Sequence, residues 1–398
     1  MKIGIYGGTF DPPHLGHMLA TKWAKELLGL DKLILVPAKT PPHKALDRAS
    51  APAEERLEMT RLMALAIEPT GSVTVSDCEL ARDGKSYTAD TVEEMAAQCP
   101  NDKLWLVMGS DMFLTFHQWH APEVICARAS ICGFTRVPGE SVKPLEEQAT
   151  YLKKTFGAKT AVLALPEDVD VSSTQVRQLL EQGEHETLSQ LLWPPVYGYI
   201  LRRGLYGVKT DLKHLTDSQL RAVSYSMILP RRIPHIQGTE EEAVKLAQRW
   251  GADTEKARRA AILHDCTKYY SPEEHMALCQ QYDIPLDPIE KGAEKLFHAK
   301  TGAALACHMF GEPLEVQAAI YYHTTGKGDM TTLEKVLYLA DYMEPTRDFP
   351  GVEKLRALAY ADLDAAVALG CEMSIGEMKE KGRPVHPNTL AALASLRK

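Results

Sequence analysis

Lys2-Ile3-Gly4-Ile5-Tyr6-Gly7-Gly8-Thr9-Phe10-Asp11-Pro12-Pro13-His14-Leu15-Gly16-His17 opens the chain of 398 residues and decides the fold of its first half. Ile3 and Ile5 belong to a short apolar strand, two glycines break it, and the amphipathic run Leu15–Leu28 follows at once. Strand, small-residue turn and helix start in that order make a phosphate cradle, because backbone amides can approach an anion at a helix N-terminus. The string is neither a P-loop nor a GxGxxG turn, since no Lys-Ser/Thr pair follows and the glycines are spaced otherwise. Its distinctive part is the pair His14 and His17. Two imidazoles at the opening of a helix can donate hydrogen bonds to a phosphoryl group whose oxygens gain charge as it is attacked. Read alone, HxGH would serve equally as a packed helix start. The complete string behind a strand favours nucleotide chemistry.

The β–α alternation continues outward from this stretch. Lys2–Tyr6, Leu33–Val36, Val73–Val75, Leu104–Met108, Ser130–Phe134 and Ala161–Leu165 predict strands, and Leu15–Leu28 and Ala53–Ile67 predict helices between them. This argues an α/β, Rossmann-like parallel sheet with its ligand at the carboxyl ends of the strands. From Leu215 onward the pattern turns nearly all helical. Apolar positions recur three and four apart in Glu240–Trp250, Thr254–Leu263, Leu314–Tyr322 and Leu333–Tyr342. The charged, glycine-bearing segment Arg202–Asp211 is the expected joint. An α/β domain over 1–205 and an all-α domain over 206–398 follow, and the absence of an internal repeat makes them different folds.

Composition bounds the function. Hydrophobic residues at 45% and charged residues at 25% are ordinary globular values. A net charge of −8 gives no general basic field, which argues against a nucleic-acid polymer as partner and leaves small anionic substrates open. The eight cysteines are scattered without a CxxC pair, neither a disulfide scaffold nor a zinc ribbon. With no signal peptide and no apolar span for a membrane, a cytoplasmic protein is expected; a homo-oligomer stays open.

In full, the opening string resembles the nucleotidylyltransferase superfamily. Four further stretches resemble bacterial nicotinate mononucleotide adenylyltransferases over nearly all of residues 1–205: Val36-Pro37-Ala38-Lys39-Thr40-Pro41-Pro42-His43-Lys44, Ser86-Tyr87-Thr88-Ala89-Asp90-Thr91, Gly109-Ser110-Asp111 with Trp119, and Val171-Ser172-Ser173-Thr174-Gln175-Val176-Arg177. The resemblance implies adenylyl transfer from ATP to nicotinate mononucleotide, with His14, His17 and Arg177 catalytic. Gly7, Gly8, Thr9, Phe10, Lys44, Ser172, Ser173 and Thr174 would bind the nucleotide phosphates, and Asp111 a ribose hydroxyl. A pyridinium ring would stack on Trp119, and Tyr87 and Thr88 would bond its substituent. Mg²⁺ would arrive with the triphosphate. Phosphopantetheine or nicotinamide mononucleotide are the alternative acceptors in the superfamily; the Pro-Pro-His-Lys segment and Trp119 lean against them.

The helical half carries His235, His264-Asp265, His298, His323 and Asp341, all on or beside expected helices. Imidazole with carboxylate suits borderline ions such as Fe, Mn, Zn or Ni. The ordered set resembles the HD-domain phosphohydrolases, and the extra His298 and His323 fit a subgroup with a dinuclear centre. Leu263-His264-Asp265-Cys266-Thr267-Lys268, Tyr322-His323-Thr324-Thr325-Gly326 and Leu339-Ala340-Asp341-Tyr342-Met343-Glu344-Pro345-Thr346-Arg347 resemble a bacterial HD family associated with symmetrical cleavage of diadenosine tetraphosphate to two ADP. The resemblance implies one or two transition metals, iron foremost, with Asp265 and Lys268 catalytic and Lys268 and Arg347 on phosphate. A nucleotide sensor without turnover is the second reading of this half. Around His235 the sequence departs from the family, where a smooth helix without Pro234 and Gly238 is expected; proline at a helix start is harmless, but a shifted start would weaken His235 as a ligand.

Overall fold

The opening strand lies at the centre of a sheet. In the computed structural model, which describes all residues except 43–49, 69, 136–138, 168–169, 292–295 and 398 and the side chains of 288 and 291, β1 (Lys2–Gly8) pairs with β2 (Lys32–Pro37) on one side and β4 (Lys103–Gly109) on the other. With β3 (Val73–Val75), β5 (Ala129–Phe134) and β6 (Thr160–Leu163) they form one parallel sheet in the order β3-β2-β1-β4-β5-β6. The order reverses direction between β1 and β4, where a doubly wound sheet opens a crevice beyond the strand ends. Ile3, Ile5, Leu104, Leu106 and Ile131 are at most 4% exposed, because helices cover both faces of the strands.

The helices that matter for the first site are α1 (Leu15–Leu28), α2 (Ala53–Ile67), α3 (Thr88–Gln98) and α4 (Ser173–Gln182). Among the described residues the chain forms two compact units, Met1–Lys209 and Thr210–Lys398. The division falls inside the expected joint Arg202–Asp211 and four residues beyond the expected domain bound at 205, since Tyr206 is buried within the first unit and donates to Asp11 Oδ1 at 3.0 Å.

Every regular element among the second unit's described residues is a helix, and the unit is built around α5 (Ile233–Trp250), α6 (Thr254–Leu263), α7 (Phe297–His308), α8 (Leu314–Tyr322) and α9 (Thr332–Met343). Helix α9 is central: Val336, Leu337, Leu339 and Ala340 are all 0% exposed, so apolar contact surrounds it. Ala257, Ala260 and Ala261 on α6 are likewise fully buried, and their small side chains let α5 and α6 pack closely. Helix α5 starts at Ile233, ahead of His235. Pro234 stands in its first turn, where no amide partner is lost, and the helix runs on through Gly238. Among the described residues no helix is long and apolar enough to cross a membrane.

Candidate functional site

Beyond the carboxyl ends of β1 and β4 lies a cavity of about 500 Å³ lined by Gly7, Gly8, Thr9, Phe10, His14, His17, Thr88, Asp111, Trp119, Ser172, Ser173 and Thr174. The cradle is shaped by small residues. A Cβ on Gly7 would meet nothing within 4 Å and would only take space from the cavity, whereas one on Gly16 would lie 3.1 Å from the His14 ring and 3.2 Å from Val171 Cγ1. Gly16 is therefore what allows His14 and His17 to stand with ring centroids 3.8 Å apart. His17 Nδ1 accepts from the His14 backbone N–H at 3.3 Å, so in the neutral ring the proton sits on Nε2 as a donor. Phe10 turns the loop through a left-handed backbone, φ 49°, and packs its ring 5.0 Å from that of His17. The starts of α1 and α4 both reach this cavity, and two helix N-termini favour an anion.

The expected catalytic Arg177 and the expected phosphate ligand Ser173 have other partners. Arg177 Nη1 donates to the Asp11 carbonyl at 2.7 Å and lies 3.6 Å from its carboxylate, and Ser173 Oγ donates to the Pro12 carbonyl at 2.9 Å. For Arg177 the reason is Asp11, 1% exposed, which needs a counter-ion. Ser172 caps α4 by accepting from Gln175 N–H. Tyr87 is outside the cavity lining, its ring 4.4 Å from that of His120. Lys44 lies outside the described residues. Sequence reasoning missed Arg56, fully buried and donating to the carbonyls of Thr9, Ala38, Lys39 and Ala51, and thereby tying the loops after β1 and β2 together. It also missed Glu79 at the cavity wall, accepting from Thr91 Oγ1 at 2.7 Å; burial raises its pKa.

The second unit gathers all six expected ligands. His235, His264 and Asp341 place one ligand atom each within 4.8 Å of the others, and so do His264, Asp265 and His323. His298 Nε2 lies 3.1 Å from Asp265 Oδ1 and 3.2 Å from His323 Nε2. His264 and His323 each follow the last residue of a helix, α6 and α8, and their Nδ1 atoms meet the carbonyls of Ala261 at 2.7 Å and Ile320 at 2.6 Å. Carbonyls in a helix's last turn keep spare lone pairs, even that of Ile320, which also accepts from the His323 N–H at 3.4 Å, so Nδ1–H donates to them and Nε2 is turned inward. Burial pushes both imidazoles down to about 4, which keeps them in the neutral form that binds metal. Burial also works against the charge on Asp265, but His264, His298 and Lys268 outweigh it and hold the carboxyl well below its ordinary range. Asp265 Oδ1 has no aligned donor among the described residues. Neutral imidazoles, ionised carboxylates, helix C-termini and that buried acceptor together fit a divalent cation.

Three cations rim this cluster. Arg232, which sequence reasoning missed, bonds Asp265 Oδ2 at 2.6 Å; Lys268 lies 3.0 Å from His298 Nε2; Arg347 bonds Asp341 Oδ1 at 2.7 Å. Their side chains are 21%, 31% and 32% exposed, while the His264, Asp265 and His323 side chains are at most 1% exposed, so the cations stand between the cluster and solvent.

The cytidylyltransferase-like family matches residues 5–179, and the HD domain family matches residues 232–346. A protein of Thermus thermophilus named probable nicotinate-nucleotide adenylyltransferase is 40% identical over 208 residues, covering 52% of this chain and 100% of that protein. The chain belongs to the nicotinate-nucleotide adenylyltransferase family, with an HD domain behind it. For that domain, a symmetrical bis(5'-nucleosyl)-tetraphosphatase of Halalkalibacterium halodurans is 40% identical over 166 residues, covering 42% of this chain and 88% of that protein. The structure of a predicted HD superfamily hydrolase involved in NAD metabolism, from Clostridium acetobutylicum, is 34% identical, covers 46% of this chain and 99% of that one, and has a TM-score of 0.45. In this adenylyltransferase family member the six expected ligands His235, His264, Asp265, His298, His323 and Asp341 lie together in the HD unit, and the first unit presents its two histidines to the cavity.

Proposed function

We propose that the first unit transfers the adenylyl group of ATP to nicotinate mononucleotide, giving nicotinate adenine dinucleotide and pyrophosphate. The observation that carries this reading is the cavity where His14, His17 and two helix N-termini converge. A phosphate oxygen of the mononucleotide attacks the α-phosphorus of ATP, the bond to the β-phosphate breaks, and pyrophosphate leaves. His17 Nε2–H and the helix amides stabilise charge gathering on the α-phosphoryl oxygens, and no covalent enzyme intermediate is needed. Trp119 and Thr88 serve the pyridine ring, Asp111 a ribose hydroxyl, and Arg177 and Ser173 act by holding the signature loop. Mg²⁺ comes as the ATP complex, carried chiefly by phosphates and water.

For the second unit we propose metal-dependent hydrolysis of a phosphoanhydride between nucleosides, with diadenosine tetraphosphate as the leading substrate and iron as the leading metal. When bound, the metal supplies polarisation of a phosphoryl oxygen and activation of water. Arg232, Lys268 and Arg347 offset the charge of a polyphosphate at the mouth. Eight unpaired cysteines accord with a reducing, cytoplasmic setting.

The test is product formation by the full chain. With ATP and Mg²⁺, nicotinate mononucleotide should be used with higher kcat/KM than nicotinamide mononucleotide; equal use or preference for the amide overturns the acceptor assignment. With Fe²⁺ or Mn²⁺ under anaerobic conditions, diadenosine tetraphosphate should give two ADP; binding without ADP release would make the unit a sensor.

A further inference from the structure

Gly238 is a residue the family's smooth helix around His235 does not lead one to expect, and the structure gives it a purpose. It stands three residues after His235 on α5, hence on the same face. A Cβ there would lie 2.6 Å from Glu344 Oε2 and 3.2 Å from Pro345 Cδ, inside van der Waals contact. The space left by the missing side chain is occupied by Glu344. This glutamate, just beyond the end of α9, is 0% exposed and brings Oε1 to 3.0 Å from His235 Nδ1. Thr346 holds it in place, its N–H donating to Oε2 at 2.6 Å and its hydroxyl to Oε1 at 2.5 Å.

Of the four histidines in this cluster, His235, His264 and His323 obtain their Nδ1 acceptors differently, for a physical reason. His264 and His323 follow helix C-termini and use carbonyls left over there. His235 lies in the first turn of its helix, where the backbone offers surplus donors and no surplus acceptors. Its acceptor must come from another element, and the one that arrives is an anion. We propose that Glu344 is a positioning residue of the metal centre. It accepts the His235 Nδ1–H, fixes the ring so that Nε2 faces the position shared with Asp341 and His264, and raises the donor strength of that nitrogen; Gly238 is the glycine that admits it. His235 Nε2 is 3.1 Å from Asp341 Oδ1 and 3.2 Å from His264 Nε2, as a shared ion requires. This inference rests on the metal reading of the unit.

The test is direct metal binding by the full, metal-stripped chain, with Mn²⁺ as the probe and the free-ion electron paramagnetic resonance signal as the readout. Glu344→Gln should weaken binding about 10- to 100-fold, the usual effect of losing an outer partner of a ligating histidine. Gly238→Ala should also weaken it although every ligand and Glu344 remain, because the new methyl displaces the carboxylate. In a double-mutant cycle, Glu344→Gln added to His235→Ala should cost nothing further, which a merely structural role would not produce. Unchanged helical circular dichroism is the control for folding, and Glu344→Asp takes the place of Glu344→Gln if that variant unfolds. Equal affinity of wild type and Glu344→Gln, or independent losses in the cycle, overturns the proposal alone. A wild-type chain that takes up no Mn²⁺ overturns the metal reading and the proposal with it.

Discussion

An imidazole becomes a ligand, a proton donor or packing according to which of its nitrogens the protein already holds. His17 is held at Nδ1 by a backbone N–H and so presents a donor, whereas His264 and His323 are held at Nδ1 by carbonyls and present an acceptor. The same burial that suits the latter two for metal makes the metal-stripped second unit sensitive to acid. Their pKa values of about 4 lie below the ordinary 6.5, so between those limits the unfolded chain binds protons that the folded chain refuses. Stability is thus lost as pH falls from about 6.5 towards 4. His298 is also lowered, chiefly by burial. His235 acts oppositely: burial disfavours its charge, but Asp341 and Glu344 outweigh this and raise it, so its contribution is present at low pH and lost on the alkaline side. Asp265 and Asp341 are held well below 3.8 and matter only in stronger acid. Thermal melts of the metal-stripped chain should show the second unit melting at lower temperature at pH 5 than at pH 7.5. A flat or inverted profile would contradict this account of the histidines.

Helix ends, more than helix interiors, carry the chemistry. Starts of α1 and α4 face the anion cavity, and the ends of α6 and α8 face the cation cluster, each matching the sign of the macrodipole. The apolar periodicity gives α1, α2, α6 and α8 with the bounds observed, because those patterns are local. It does not reveal that the segment after Arg203 folds back to the signature loop. There Tyr206, left-handed at φ 58° and 6% exposed, is held by its hydroxyl on Asp11, whose other donor to Oδ1 is the Ala51 N–H at 3.0 Å. Tyr206→Phe should destabilise the first unit by about 1–3 kcal/mol, the cost of a buried acceptor losing a donor. Calorimetry would read this as a lower first-unit transition with the second-unit transition unmoved; no shift would mean the hydroxyl is dispensable.

At the scale of the molecule, each unit has its own core and its own ionic cluster, and we expect the two sites to work independently. His17→Ala should lower adenylyl transfer about 10²- to 10³-fold, as for loss of one oriented donor to a transition-state charge. It should leave ADP release from diadenosine tetraphosphate unchanged. His264→Ala should do the converse. Paired assays on each full-length variant measure both activities, and a change in the remote one would establish coupling instead.

The sequence by itself determined the β–α order, the all-helical second half, the HxGH string and the order of the histidines and aspartates that gather in the second unit, since each is a local pattern or a residue type with one evident chemistry. Only the tertiary structure decided what those residues hold. Arg177 serves the signature loop because Asp11 is buried beside it, Ser173 bonds the Pro12 carbonyl, Arg232 faces Asp265, and Glu344 fills the space above Gly238. Such partners meet across separations of 166 residues for Arg177 and Asp11 and 109 for His235 and Glu344, and no local periodicity carries information over that distance. A buried charge takes whichever opposite group the packing brings to it, and packing is a property of the folded chain.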